Sequence, residues 1–198
     1  MTAPSQGYVT IAYGHRKFYE MAVNFALSVK LHDPKRQVCL LYKESDPVPE
    51  DIAKAFDRLA PFENEDRYPK MLIKLAIYEP SPFDETFYMD ADCVLLKGDM
   101  DRHWAKYGAD DFMIAGDKRT AADDLSEQEK GMMAATNTDY VVDMNAGVIF
   151  YRKSERAAKI FADAGRLAID PDPSLVEERA RNDGLSDQTF YSAAMAMS

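Results

Sequence analysis

Cysteine is scarce in this chain: Cys39 and Cys93 are the only two in 198 residues. They lie far apart in apolar runs, with no Cys-x-x-Cys pair and no Cys/His cluster, which argues against both a disulfide framework and a zinc site. Each reads as a buried packing residue, in a chain suited to a reducing, cytoplasmic setting. Positive charge is scarce too, with 24 Lys plus Arg against 34 Asp plus Glu, a formal net charge of −10. A surface of that sign repels phosphate backbones, so nucleic acid is demoted as a partner. A small anionic ligand, met by local charge, is not. No apolar run approaches the roughly eighteen residues of a membrane span. Met1 to Gly7 has neither a basic start nor an apolar stretch, so no secretory signal is read there. Repeats and low-complexity tracts are also missing. What is present is apolar material, 46% of residues, enough for a core in a single domain over 1–198.

The first half alternates strand and helix. Tyr8 to Tyr13 (YVTIAY) is a β-rich run closed by Gly14. Lys17 to Leu31 follows at helical period, with Phe18, Met21, Ala22, Phe25 and Val29 on one side, and His32-Asp33-Pro34 stops it. Gln37 to Tyr42 is the next strand, and Pro49 opens a helix expected to run to Ala60. Lys70 to Tyr78 is a short helix; Thr86 to Met89 and Val94 to Leu96 are extended about Asp90-Ala91-Asp92. In the second half Phe112 to Ala115 and Gly147 to Tyr151 read as strands, and Ser154 and Ser186 each cap a helix. The helix after Ser154 carries Ala157, Ile160, Phe161, Ala164 and Leu167 on one stripe. Between them, 117–139 is polar and reads as a mobile loop or short helix. The alternation implies an α/β fold around a mainly parallel sheet.

Three Asp-x-Asp pairs occur among 22 aspartates: Asp90/Asp92, Asp99/Asp101 and Asp170/Asp172. Chance supplies about that many, so context has to decide. Asp99/Asp101 and Asp170/Asp172 stand beside Gly98 and prolines and read as turns. Only Asp90/Asp92 is flanked by apolar strand residues, Phe87-Tyr88-Met89 before and Cys93 to Leu96 after. A carboxylate pair there needs a neutralising partner, and open α/β sheets bind ligands outside the carboxyl ends of their strands. Strand alternation, if continued, turns Asp90 and Asp92 to one side. Hard oxygens so placed suit Mg²⁺ or Mn²⁺, above all one carrying a diphosphate.

FYMDADCVLL resembles the Asp-x-Asp (DXD) metal and nucleotide motif of GT-A glycosyltransferases, particularly the retaining glycogenin/galactosyltransferase-like family. Four further features follow in that family's order. YVTIAY and its helix are similar to the opening nucleotide-binding strand and helix. IKLAIY places Lys74 where the family keeps a lysine ahead of the motif. MNAGVIFYRK resembles the Asn-x-Gly strand, giving Asn145 and Gly147, and SDQTFY the helix-opening pair, giving Asp187 and Gln188.

The resemblance implies a GT-A, Rossmann-like fold: a mixed, mainly parallel sheet flanked by helices. It implies a hexosyltransferase-type enzyme that moves a sugar from a nucleotide-diphosphate donor, a UDP-sugar, with retention. Asp90 and Asp92 would hold Mn²⁺ or Mg²⁺. Ala12, Tyr13, Lys74, Asp90, Ala91, Asp92, Asn145 and Gly147 would meet the donor, and Lys74, Asn145, Asp187 and Gln188 would serve catalysis. The family pattern continues to a late His metal ligand, a place that none of His15, His32 and His103 occupies. Either the domain is C-terminally short, a fragment, or the metal site is completed by water, a partner or other side chains. Two rival readings keep the fold: a sugar-nucleotide nucleotidyltransferase, disfavoured by the single glycine of Tyr13-Gly14-His15-Arg16-Lys17, and a truncated, non-catalytic nucleotide- or partner-binding domain. The acceptor and the oligomeric state are not legible.

Overall fold

The structure is a computed structural model that describes residues 5–62, 67–68, 70–171 and 186–198. Six strands, β1 (Gln6–Ile11), β2 (Gln37–Tyr42), β3 (Arg58–Pro61), β4 (Glu85–Met89), β5 (Phe112–Thr120) and β6 (Tyr140–Arg152), form one sheet in the order β3-β2-β1-β4-β6-β5. β3, β2, β1 and β4 are parallel, and β6 runs antiparallel to β4. Among the described residues the helices are α1 (Arg16–His32), α2 (Glu50–Ala53), α3 (Met100–Tyr107), α4 (Glu127–Thr136), α5 (Glu155–Ile169) and α6 (Asp187–Ala196), with a 3-10 helix over Lys70–Ala76. This is the mixed, mainly parallel α/β architecture the sequence implies. The chain divides into two compact units, one of Met1–Glu65, Glu79–Met113 and Gly147–Ser154, the other of Asp66–Tyr78, Ile114–Ala146 and Glu155–Ser198.

In the first unit, Tyr8 and Ala12 of the β1 segment, Val38 and Leu40 of β2, and Phe87 of β4 pack with Tyr19, Ala22, Phe25, Ala26 and Val29 of α1 and with Trp104 of α3. Alternation along each strand produces that face. The residues between, Val9, Cys39, Leu41 and Tyr88, are buried as well, so the strands read as continuous apolar runs. On α1 the buried stripe starts at Tyr19 rather than the expected Phe18, which is 49% exposed. Tyr19 points inward because its hydroxyl reaches the Asp46 carboxylate at 2.7 Å, and its neighbour one position back is thereby rotated outward. Cys39 is buried, which pushes its thiol up to about 12; Cys93, expected to be buried, is only half-buried.

A charged hub closes this core. Asp33, at the C-terminal end of α1, is 4% exposed. Its carboxylate accepts the Tyr8 hydroxyl at 2.7 Å, the Trp104 indole N–H at 3.2 Å and the Arg36 guanidinium at 2.9 Å. Burial, reinforced by the adjacent carboxylate, pushes the Tyr8 hydroxyl well above its ordinary pKa. Trp104 therefore both packs in the core and donates a buried hydrogen bond.

Several local expectations change. The helix after Pro49 ends at Ala53, and the chain enters β3, a strand not read from the sequence. Asp57 drives the turn: its amide donates to the Val38 carbonyl at 3.0 Å and its carboxylate accepts the Val38 amide at 2.8 Å, clamping the chain alongside β2. Asp99 and Asp101 border and enter α3 instead of forming a free turn, and Asp101 pairs with Lys35 and Arg36. Val94–Leu96 joins no strand. Asp170 lies in a bend, and Asp172 falls outside the described residues.

The second unit holds the rest. The 117–139 stretch contains the end of β5 and the helix α4, which is closed by a capping box between Ser126 and Glu129 and by Asn137 in the left-handed region. On α5 the expected stripe is buried except at its end, where Ala168 replaces the half-buried Leu167. Phe161 packs between Tyr78 and Tyr191, with ring centroids 5.2 and 5.6 Å away. The Ser192 hydroxyl accepts the Val142 amide at 2.8 Å, tying α6 to β6.

Replacing Asp33 by Ala leaves the buried Tyr8 hydroxyl and Trp104 indole N–H without their acceptor, while Arg36 keeps Asp101 and Gln6. Urea denaturation should show a loss of about 3 kcal/mol with an unchanged m value.

Candidate functional site

The ladder delivers Asp90 to the carboxyl end of β4. Met89 pairs with Val148 of β6, and the next amide, that of Asp90, donates to the Gly147 carbonyl at 2.9 Å. The Cys93 amide then donates to the Asp90 carbonyl at 3.0 Å, closing a turn through Ala91 and Asp92. The Tyr88 hydroxyl donates to Asp90 Oδ1 at 2.5 Å, a charge-assisted bond that fixes the direction of this half-buried carboxylate. Ala91 packs against the apolar core, and Asp92 is exposed. β4 ends at Met89, so the turn, rather than a continued pleat, sets the directions of the two aspartates.

β1 is the parallel neighbour of β4, and its carboxyl end carries Ala12 and Tyr13. Ala12 is buried and its amide donates to the Leu41 carbonyl at 3.2 Å. Tyr13 is half-buried, with the Lys43 ammonium 4.8 Å from its ring centroid, and burial raises its hydroxyl pKa. Gly14 follows at φ +83°, a conformation that favours glycine, and its amide donates to the Asp46 carboxylate. His15 caps α1, accepting the Lys17 amide at 3.1 Å. Arg16 is engaged with Asp51 at 2.6 Å and Glu20 at 3.1 Å, both exposed pairs. Adjacent parallel strands thus end on an aromatic platform and on a carboxylate turn.

Asp90 and Asp92 offer hard oxygens of the kind that Mg²⁺ and Mn²⁺ accept, and both ions ordinarily keep positions for water and phosphate. The donor chemistry fits as a partial ligand set. Among the described residues no group of three His, Cys, Asp or Glu is placed to hold a metal alone.

The second unit brings two other expected residues together. Lys74, on the 3-10 helix, and Asp187, the first residue of α6, are 7% and 3% exposed, with Nζ 4.0 Å from Oδ2. Ser186 caps α6 and accepts the Gln188 amide at 3.3 Å, and an acidic first residue suits the helix dipole. Gln188 is half-buried, and Asn145 is exposed within β6 rather than in a turn before it, because the strand starts at Tyr140.

Sequence reading missed Tyr88, Lys43, Asp46 and Tyr191. Tyr88 was findable, since i and i+2 share a strand face. Tyr191 stands one helical turn after Asp187, a spacing that also carries a signal. Lys43 and Asp46 lie in a loop with no such period.

No protein-family profile matches the chain, and no curated protein sequence matches it. Solved structures do. A galactosyltransferase LgtC, in complex with donor and acceptor sugar analogues, superposes with a TM-score of 0.61 at 14% identity over 94% of this chain and 69% of its own. The mannosyltransferase Ktr4p from S. cerevisiae gives 0.54 at 8% identity over 97% and 65%. Core-mannan synthase A from Aspergillus fumigatus, in an Mn/GDP form, gives 0.50 at 8% identity over 97% and 69%. At such identities what is shared is the fold, and it is the GT-A glycosyltransferase fold.

Lys74→Met should remove the cation that faces the buried Asp187 carboxylate and cost about 3 kcal/mol in urea denaturation, whereas Lys74→Met/Asp187→Leu should recover most of it.

Proposed function

We propose that this chain is a divalent-metal-dependent glycosyltransferase that transfers a sugar from a nucleotide-diphosphate donor, a UDP-sugar, with retention at the anomeric carbon. The observation that carries the reading is the Asp90-Ala91-Asp92 turn at the carboxyl end of β4, directly beside the β1 end at Ala12 and Tyr13. Parallel sheets recruit ligands at such ends. Among the solved structures that share the fold are a galactosyltransferase with donor and acceptor sugar analogues and a core-mannan synthase in an Mn/GDP form.

In this reading Asp90 and Asp92 are the metal-holding carboxylates. A bound Mn²⁺ or Mg²⁺ would supply positive charge to the diphosphate leaving group. Tyr88 holds Asp90 in place by its 2.5 Å hydrogen bond, so the carboxylate is oriented before any ligand arrives. Tyr13 offers its ring and Ala12 its main chain to base and ribose, and Ala91 and Gly147 bring backbone close to the donor. Asn145, Asp187 and Gln188 are the hydrogen-bonding groups assigned to sugar hydroxyls. Lys74 is the cationic group, preset by Asp187.

Two measurements test this. Thermal melting across nucleotide sugars with and without Mn²⁺ should rise for a UDP-sugar only when the metal is present, because ligand bound to the native state raises its stability. Asp92→Asn should keep the wild-type melting temperature in the absence of ligand and lose about 100-fold or more in UDP release. Undiminished turnover in that variant, with metal dependence intact, would sink the assignment.

A further inference from the structure

Tyr191 is fully buried on α6, and its ring makes an edge contact with Phe161 at 5.6 Å. That contact needs only a ring. The hydroxyl is an additional polar group, costly to bury without a partner, and it donates to the main-chain carbonyl of Lys74 at 2.7 Å. Asp187, which meets the Lys74 ammonium, lies four residues earlier on the same helix, and residues at that spacing share a face. One turn of α6 therefore takes Lys74 at two points, side chain through Asp187 and main chain through Tyr191.

The carbonyl so held belongs to an unfavourable element. The 3-10 helix runs for seven residues, long for that geometry. It starts at Lys70 with φ +53°, a strained value for a residue with a side chain. Just past it the Ile77 amide donates to the Lys74 carbonyl at 3.4 Å, and the Tyr191 hydroxyl meets the same oxygen at the shorter 2.7 Å. The ion pair itself, at 4.0 Å, is too long to fix the backbone that carries it.

We propose that Tyr191 is a positioning residue, whose hydroxyl sets the reach of the Lys74 ammonium toward Asp187 by fixing the Lys74 carbonyl. Its consequence for turnover rests on the reading of Lys74 and Asp187 as catalytic. A displaced ammonium would be mismatched to charge developing in the transition state, so the loss falls on kcat rather than on donor KM.

Tyr191→Phe keeps the ring and removes the hydroxyl, and Phe161→Leu loosens the same packing with the hydroxyl intact. The ¹³Cε resonance of Lys74, assigned with Lys74→Arg, is read in the full-length protein without ligand, with Asp187→Asn marking its position once the ion pair is gone. Tyr191→Phe should move the resonance toward the Asp187→Asn position and lower kcat for UDP release about ten-fold at unchanged donor KM. Phe161→Leu should lower the melting temperature and leave both readouts in place. A Lys74 resonance at its wild-type position in Tyr191→Phe overturns the proposal, as does an unchanged kcat in an active enzyme, or equal effects from the two variants. Wild-type protein that releases no UDP would overturn the functional reading instead, while the resonance would still decide whether Tyr191 holds Lys74.

Discussion

β4 is hydrogen-bonded along both edges, parallel to β1 and antiparallel to β6, and that double pairing fixes where Asp90 can lie. The register that sets Tyr88 opposite Ile149 and Met89 opposite Val148 also hands the Asp90 amide to Gly147. A slip of one residue would exchange the faces of the whole strand and take the Tyr88 hydroxyl away from the Asp90 carboxylate. The turn that follows is thus anchored by main-chain bonds that no ligand has to form. Ala12 and Tyr13 inherit their position from the same sheet, since β1 is registered against β4 from Gln6 onward.

Buried charge shows a common pattern in the two units. In the first, Asp33 is surrounded by donors and Arg36, and Glu85, 3% exposed, accepts Arg152 at 2.9 Å and Gln6 at 2.8 Å. In the second, Asp187 meets Lys74. Each buried carboxylate has a cation, as the cost of desolvating a lone charge requires. Asp92 differs, being exposed on a turn. The net charge of −10 is therefore not one property: part is neutralised inside the fold, and part is carried by turns and helix starts.

Much of this was legible in the residues. β2 was read to its boundaries, and β1, α1, α5 and α6 to within a residue or two, because period and capping act locally. α3 was missed although Met100, Trp104 and Tyr107 are spaced along one helical stripe; Gly98 and two aspartates read more strongly as a turn. β3 was hidden for another reason: its four residues are a strand only because β2 presents an edge and Asp57 clamps Val38.

The sequence by itself determined the α/β class, the strand–helix alternation of β1, α1 and β2, and which Asp-x-Asp pair stands at a strand end, since these follow from periodicity, turn chemistry and flanking apolar runs. Tertiary structure decided the partners: Tyr88 for Asp90, Lys43 for Tyr13, Asp187 and Tyr191 for Lys74. Lys74 and Tyr191 are 117 positions apart, and no local pattern encodes such a contact. It arises when helices carrying them pack, and only then does a buried lysine acquire the fixed geometry that chemistry can use.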